Sequence, residues 1–186
     1  MNTKNHNLSL GGVTGIIIGF LGIIFIYSIN LILNQYLSDS EGVSLLPISF
    51  FQLLLVAICV FYILFSYILI VILNKKRKKR KEKKWNLKEK QIRRIYLIHL
   101  IFGGIILYYF LVLGELKLII PASLILYGIA SILANKFTQG SSRILGFLFL
   151  LNGFLALIFP RYSFILWGVA FGIYHICYGI VYNKKI

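Results

Sequence analysis

Long apolar runs alternate with short polar breaks along almost the whole chain. The runs show no strict apolar/polar alternation, and this favours helices that cross a membrane over the strands of a barrel. They predict six spans, at about residues 10–36, 46–73, 95–113, 118–135, 143–159 and 162–182. The predicted fold class is therefore all-α, a polytopic bundle of six transmembrane helices.

The composition excludes an ordinary soluble domain. Of the 186 residues, 59% are hydrophobic and only 13% are charged, which is too little polar surface for a water-exposed exterior. The first apolar run, from Leu8 to about Tyr36, is much longer than the hydrophobic part of a signal peptide and is followed by no small-residue cleavage site. We expect it to be retained as the first span.

The positive charge is concentrated in one block, which predicts the orientation of the spans. Thirteen of the twenty Lys and Arg residues lie between Lys75 and Arg94. Basic residues resist translocation, so this block is expected on the cytoplasmic side. The other predicted inner loops carry Lys4, Lys136, Arg143, Lys184 and Lys185, whereas the outer loops carry only Lys117 and Arg161. Both termini are therefore predicted to be cytoplasmic. The high Ile, Lys and Asn content resembles that of proteins from AT-rich bacterial genomes, and the expected location is the inner membrane of a bacterium.

The basic block also suggests a partner. Its first part is a run of seven cations, Lys75, Lys76, Arg77, Lys78, Lys79, Arg80 and Lys81. Such a run beside a span attracts anionic lipid headgroups, by about 1 kcal/mol per residue. A protein partner is the alternative. Nucleic acid is not expected, because no aromatic platform or nucleic-acid-binding motif accompanies the charge.

The second half of the chain contains a repeat. The segments 123–130 and 163–170, SLILYGIA and SFILWGVA, align residue by residue. The helices before them also agree, because Arg94 precedes Gly104 at the spacing at which Arg143 precedes Gly153. The three prolines, Pro47, Pro121 and Pro160, are each predicted in the first turn of an even-numbered span, where a proline costs no hydrogen bond. The predicted organisation is a first hairpin at 1–74, a cytoplasmic basic loop at 75–94 and two repeated hairpins at 95–186.

These hairpins carry a Leu-Ile-x-Pro turn, at residues 118–121 and again at 157–160. With six spans, this length and glycine-rich hairpins, the chain resembles the HdeD-like family of small bacterial membrane proteins. The resemblance covers mainly residues 95–182 and implies a six-span fold with a role in acid resistance. It implies no catalytic residues and no cofactor.

Glycines at helical spacing predict close helix packing. The set consists of Gly11, Gly15 and Gly19 in the first span and Gly168 and Gly172 in the last. Small residues four apart allow helix backbones to approach closely within a bilayer. Packing inside the bundle is the favoured interpretation, and an interface with a second copy or another membrane protein is the alternative.

Polar residues within the spans are few and are candidates for function because they are costly in lipid. His99, Asn152 and His175 all fall in the predicted cytoplasmic half, and they form one hydrogen-bonded cluster if spans 3, 5 and 6 pack together. Such a cluster either holds helices together or senses pH, since an ordinary imidazole titrates in the mildly acidic range.

The sequence offers no basis for an enzyme. No metal-binding, nucleophile-elbow or phosphate-loop motif is present, and no carboxylate lies deep within a span. We therefore predict no catalytic residues, no metal and no cofactor. The predicted function is that of a non-enzymatic integral membrane protein with a stress-related role, and the alternative is a small transporter or channel subunit.

Overall fold

The computed structural model describes residues 13–38, 60, 64, 65, 68, 72, 87–138 and 142–181. Helix is the regular structure throughout this part of the chain, which contains no strand. The helices are α1 (Val13–Ser38), α2 (Leu87–Val112), α3 (Leu116–Ala134), α4 (Ser142–Ile158) and α5. Helix α5 consists of an α-helical segment Ser163–Gly168, a π-helical segment Val169–Tyr174 and an α-helical segment His175–Val181. The predicted all-α class is confirmed for these residues.

Four of these helices are long and apolar enough to cross a membrane. The qualifying stretches are Val13–Leu31, Lys90–Val112, Lys117–Ala134 and Pro160–Val181. Helix α4 is equally apolar but has only 17 residues. Most of the predicted second span, 46–73, lies outside the described residues. The described helices are thus compatible with a membrane-embedded protein.

Helix α2 begins earlier than the sequence pattern predicts. Its first residue is Leu87, so the last part of the basic block, predicted to be a loop, is helical. Lys, Glu, Gln and Arg are good helix formers, and residues 87–94 contain neither Gly nor Pro to stop the helix. The cations Lys88, Lys90, Arg93 and Arg94 are exposed on these first two turns.

Described residues of the α2–α3 and α3–α4 connections are held by local polar contacts. Gly114 joins α2 to α3 with φ of 75°, a left-handed conformation that glycine adopts without a Cβ clash. Beyond it, Lys117 pairs with Glu115 at 3.4 Å between two exposed groups. Between α3 and α4, the Asn135 side-chain oxygen accepts the backbone N–H of Arg143 at 3.2 Å. This bond satisfies one of the free N–H groups at the start of α4.

The position of Pro121 differs from the prediction. Helix α3 starts at Leu116, so Pro121 lies inside the helix rather than in its first turn. Its missing N–H leaves a backbone carbonyl one turn earlier without its usual partner. Pro160, by contrast, begins a short 3₁₀ turn, Pro160–Tyr162, as expected for a helix start. Pro47 lies outside the described residues.

The helices pack in a definite order. The most extensive contact is between α3 and α4; α2 packs on α3, α5 packs on α4, and α1 packs along α5. The buried core lies among α3, α4 and α5, and its members are Leu124, Leu145, Phe149, Ala156, Trp167, Ala170, Phe171 and Tyr178. Helix α1 closes this core with the partly buried Leu21, Phe25 and Ile26. Helix α2 contributes little to it, because only 6% of its spanning stretch is buried.

Candidate functional site

His175 lies at the centre of the aromatic core. It follows the π-helical segment of α5 and is only 1% exposed. Three rings surround it: Tyr127 of α3, Phe149 of α4 and Phe171 of α5, with centroids 5.5, 5.4 and 5.8 Å from the imidazole. The site is therefore formed where three helices meet.

Both ring nitrogens of His175 are hydrogen-bonded within the protein. Nδ1 lies 3.3 Å from the carbonyl oxygen of Ala170, and Nε2 lies 2.8 Å from the hydroxyl of Tyr127. A carbonyl can only accept, so Nδ1 carries the proton that it shares with Ala170. In the neutral imidazole Nε2 is then an acceptor, and the Tyr127 hydroxyl donates to it. This arrangement uses the full hydrogen-bonding capacity of the neutral ring.

Asn152 of α4 is likewise hydrogen-bonded within the protein. It is 3% exposed, and its Nδ2 donates to the carbonyl oxygen of Leu166 at 3.0 Å. The hydroxyl of Tyr174 donates to its Oδ1 at 3.3 Å. The amide thus links α4 to α5 just before the π-helical segment and at its last residue.

The polar side chains support the irregular backbone of α5. A π-helical turn displaces carbonyls from their usual partners, and a carbonyl without a donor is costly in an apolar environment. The carbonyl of Leu166, just before the π-helical segment, accepts Nδ2 of Asn152 as well as the backbone N–H of Val169. The carbonyl of Ala170, within that segment, accepts Nδ1 of His175. Two of the three candidate polar residues therefore bond to backbone carbonyls at or beside a π-helical segment that the sequence pattern does not predict.

His99 does not join them. Its Nδ1 bonds with the carbonyl oxygen of Ile95, one turn earlier on the same helix, at 2.9 Å. The hydrogen bonds of His99, Asn152 and His175 run to separate partners rather than to one another. The reason is position: His99 lies on α2, which packs on α3, whereas Asn152 bonds across the α4–α5 contact and His175 lies where α3, α4 and α5 meet.

A second polar group joins α2, α3 and α4 and was not predicted. The Tyr96 hydroxyl lies 3.4 Å from the Ser131 hydroxyl, and the buried Ser142 donates to the Ser131 carbonyl at 3.1 Å. Thr138 adds a hydroxyl 3.0 Å from that of Ser142. No sequence motif marks these residues, so only the packing distinguishes them.

Two of the predicted packing glycines face each other between α1 and α5. A Cβ atom built on Gly19 would lie 2.6 Å from the carbonyl oxygen of Gly172 and 2.5 Å from Cγ1 of Ile176. A Cβ on Gly172 would lie 2.7 Å from Cγ1 of Ile23. At these positions only glycine permits the observed approach of the two backbones.

The other predicted glycines are placed less closely or lie outside the description. Gly168 faces Ile26, with a built Cβ 3.2 Å from the nearest side-chain atom. Gly15 is buried in α1. Gly11 lies outside the described residues.

The α3–α4 contact has the same construction. A Cβ on Gly146 would lie 2.7 Å from the carbonyl oxygen of Gly128 and 2.6 Å from Cγ1 of Ile132. A Cβ on Gly128 would lie 3.0 Å from Cγ of Leu150. In both contacts, a Cβ on either glycine would meet the glycine of the opposite helix. It would also meet the aliphatic residue four positions after that opposite glycine.

Short sequence matches accompany the two contacts. Gly19-Phe20-Leu21 of α1 corresponds to Gly146-Phe147-Leu148 of α4. On the partner helices, GIASI at 128–132 corresponds to GIYHI at 172–176. The sequence repeat aligns Gly128 with Gly168. The helix contacts instead align Gly128 with Gly172, which lies one helical turn after Gly168. These signals were present in the sequence but are too short to find without the contacts.

The remaining chemistry of the described chain is sparse. No group of three or more His, Cys, Asp or Glu residues that could hold a metal occurs in the ranges that the structure covers. Cys177 is an exposed free thiol. The cationic run 75–81 lies outside those ranges, so its predicted lipid contact stays a prediction.

Comparison of the chain with protein-family models, with curated proteins and with solved structures found no match. The resemblance to the HdeD-like family accordingly rests on the sequence features alone.

Proposed function

We propose that this protein is a non-enzymatic integral membrane protein that acts through helix packing and contact with a membrane partner, not by moving a solute. The observation that carries the proposal is that the polar side chains of His175 and Asn152, both buried, are hydrogen-bonded within the protein. Both nitrogens of His175 and both amide atoms of Asn152 are bonded to the protein itself. A substrate or ion site needs polar groups that are free to bind.

The proposed architecture has six spans in three hairpins, built as a parallel repeat. The two matching glycine contacts support it, because α1 meets α5 as α4 meets α3. In this scheme the first helix of one hairpin packs on the second helix of the preceding hairpin, and α1 packs on the last hairpin. The Gly-Phe-Leu match at 19–21 and 146–148 supports assigning the first hairpin to the same repeat.

The proposed topology places both termini in the cytoplasm of a bacterial cell, with the protein in the inner membrane. The positions of the exposed cations support it. Lys88, Lys90, Arg93 and Arg94 occupy the start of α2, and Lys136 and Arg143 flank the α3–α4 turn. Among the described cations, only Lys117 and Arg161 lie at the opposite helix ends, and excess positive charge favours the cytoplasmic side.

A transporter or channel subunit is the competing function, and solute flux separates the two. The full-length protein, purified and reconstituted in liposomes, would be assayed with entrapped pH-sensitive and cation-sensitive dyes. We expect permeability equal to that of protein-free liposomes at both neutral and acidic pH. Protein-dependent, saturable flux of protons, cations or a small solute would overturn the proposal. A folding check by gel filtration before and after reconstitution makes a negative result interpretable.

The resemblance to the HdeD-like family supplies a physiological readout. A strain that lacks the protein would be exposed to acid, with and without a plasmid-borne copy. We expect reduced survival that the wild-type copy restores. Equal survival of the two strains would remove acid stress from the proposal and leave the structural role to be tested separately.

A further inference from the structure

One helix face in the bundle lacks the partner that its counterparts have. The alignment of Arg94 with Arg143 makes Leu97, Ile101 and Gly104 of α2 the counterparts of Gly146, Leu150 and Gly153 of α4. On α4 this face is covered by α3: a Cβ on Gly153 would lie 2.6 Å from Cγ1 of Ile125. On α2 it is open, since a Cβ on Gly104 would have nothing within 4 Å.

The side chains of this α2 face are correspondingly exposed. Leu97 is 41% exposed and Ile101 is 58% exposed, although both lie well within an apolar span. The same face of α1, at Gly19 and Ile23, is in contact with Gly172 and Ile176 of α5. Of the three equivalent faces, those of α1 and α4 are therefore each covered by a helix, and the two contacts have the same geometry.

We propose that the face formed by Leu97, Ile101 and Gly104 binds the segment 46–73 of the same chain, so that each hairpin packs on its neighbour in a closed ring of three. The inference rests on the three-hairpin arrangement proposed above. It goes beyond that arrangement by naming the surface and its occupant.

The chain itself favours this occupant. The segment 46–73 is predominantly apolar and is joined to α2 by residues 74–86, which include the cationic run 75–81. In the proposed repeat, this segment is also the second helix of the hairpin before α2. It therefore corresponds to α3, which is the second helix of the hairpin before α4. Its described residues Val60, Leu64, Phe65, Ile68 and Ile72 are helical and exposed.

Helical periodicity predicts which side of the segment meets α2. Val60, Leu64, Ile68 and Ile72 repeat every four residues, and this spacing places them along one exposed face. In a continuous helix, Ser66 and Ile70 lie on the opposite face. They supply a small residue followed four positions later by an aliphatic one, as Gly128 and Ile132 do on α3. By this match, Ser66 is expected beside Ile101.

Disulfide cross-linking in membranes tests the contact. Cys59 and Cys177 would be replaced by Ala in the full-length chain, and Ser66→Cys would be combined with Ile101→Cys. After oxidation, trypsin cleaves the basic block, and non-reducing gel electrophoresis shows whether the two halves remain joined. We expect most of the chain to stay at full length in the oxidised sample and to separate on reduction. The matched control, Leu64→Cys with Ile101→Cys, should give several-fold less joined product.

Each other result has a defined meaning. Separation of the halves in the Ser66/Ile101 pair, with gel filtration showing a folded protein, would overturn the proposal. A band of twice the chain mass with Ile101→Cys alone would assign the face to a second copy and would also overturn it. Ile101 is exposed in the described structure, so its substitution is not expected to prevent folding. The flux assay does not depend on this contact. Failure of the proposed function in the flux assay would leave the helix contact standing, and absence of the cross-link would leave the proposed function standing.

Discussion

Gly19 of α1 and Gly172 of α5 meet so closely that a Cβ on Gly19 would lie 2.6 Å from the Gly172 carbonyl oxygen. The obstructing atom belongs to the backbone and cannot rotate away. A larger residue at Gly19 must therefore separate the two helices and lose the dispersion contact that joins them, since lipid tails are as apolar as the side chains.

We expect Gly19→Leu to lower the stability of the purified protein by an amount typical of overpacking, about 1–3 kcal/mol. The measurement is the melting temperature in detergent together with the monodisperse yield. Gly172→Leu should act similarly, because it displaces Ile23 of the same contact. The control is Ser28→Leu on the exposed side of α1. Equal melting temperatures for Gly19→Leu and Ser28→Leu would contradict the close α1–α5 contact.

The hydrogen bond between Tyr127 and His175 predicts a second change. Tyr127→Phe keeps the ring in the aromatic core but leaves Nε2 of His175 without a donor. We expect a loss of about 0.6–2 kcal/mol, the range found for hydrogen bonds between membrane helices. Thermal unfolding of the variant in detergent measures it, and Tyr109→Phe, on the exposed face of α2, is the control.

A double-mutant cycle isolates this bond. His175→Phe would be measured alone and together with Tyr127→Phe. If the bond contributes as described, the double variant loses less stability than the two single variants added together. Strict additivity would show that the two residues act independently.

Asn152 predicts an effect on the backbone of α5. Asn152→Leu removes the donor to the Leu166 carbonyl and the acceptor for Tyr174. We expect faster amide hydrogen exchange in the segment 166–175, because the π-helical turn loses one of its two supporting side chains. Tyr174→Phe removes only one of the Asn152 bonds and should accelerate exchange less. Unchanged exchange in Asn152→Leu would show that the π-helical turn does not depend on this side chain.

The basic block predicts salt-sensitive binding to lipid. A peptide of residues 75–94 should bind vesicles that contain anionic phospholipid and should lose that binding as salt is raised, because the attraction is screened. Co-sedimentation with vesicles measures it. A peptide with Gln in place of Lys75 through Lys81 is the control and should bind severalfold more weakly. Binding that is independent of salt would contradict an electrostatic contact.

The order of the described helices can be predicted from the sequence, and so can the α2–α3 and α4–α5 contacts within the predicted hairpins. The α1–α5 and α3–α4 contacts cannot. Hydrophobic run length predicts α3 within about two residues of its observed bounds, because few polar residues interrupt a membrane helix. The apolar run does not mark the start of α2, because charged residues that favour helix look the same as a solvated loop in a hydropathy pattern. The sequence pattern does not reveal the π-helical turn, because this turn requires no characteristic residue type. It requires only hydrogen-bond donors for its backbone carbonyls.

The candidate site was predicted in part. Asn152 and His175 were identified as costly polar residues, and each proves to be bonded across or within helices near the π-helical turn. Their true partners, Tyr127 and Tyr174, were not identified, because tyrosines are abundant in this chain. His99 was grouped with them on depth alone. Depth within a span does not reveal which neighbour a helix faces.

The shortness of α4 has a consequence for the surrounding bilayer. At a rise of about 1.5 Å per residue, its 17 residues cover roughly 25 Å, less than the ~30 Å of a typical hydrocarbon core. Helix α4 is held between α3 and α5, so its position is fixed by protein contacts rather than adjusted freely. If α4 crosses the bilayer, as the proposed six-span topology requires, the bilayer beside its exposed residues Phe147, Leu151 and Phe154 is expected to thin to match it. The protein would then favour thin membrane regions and partners whose own spans are equally short.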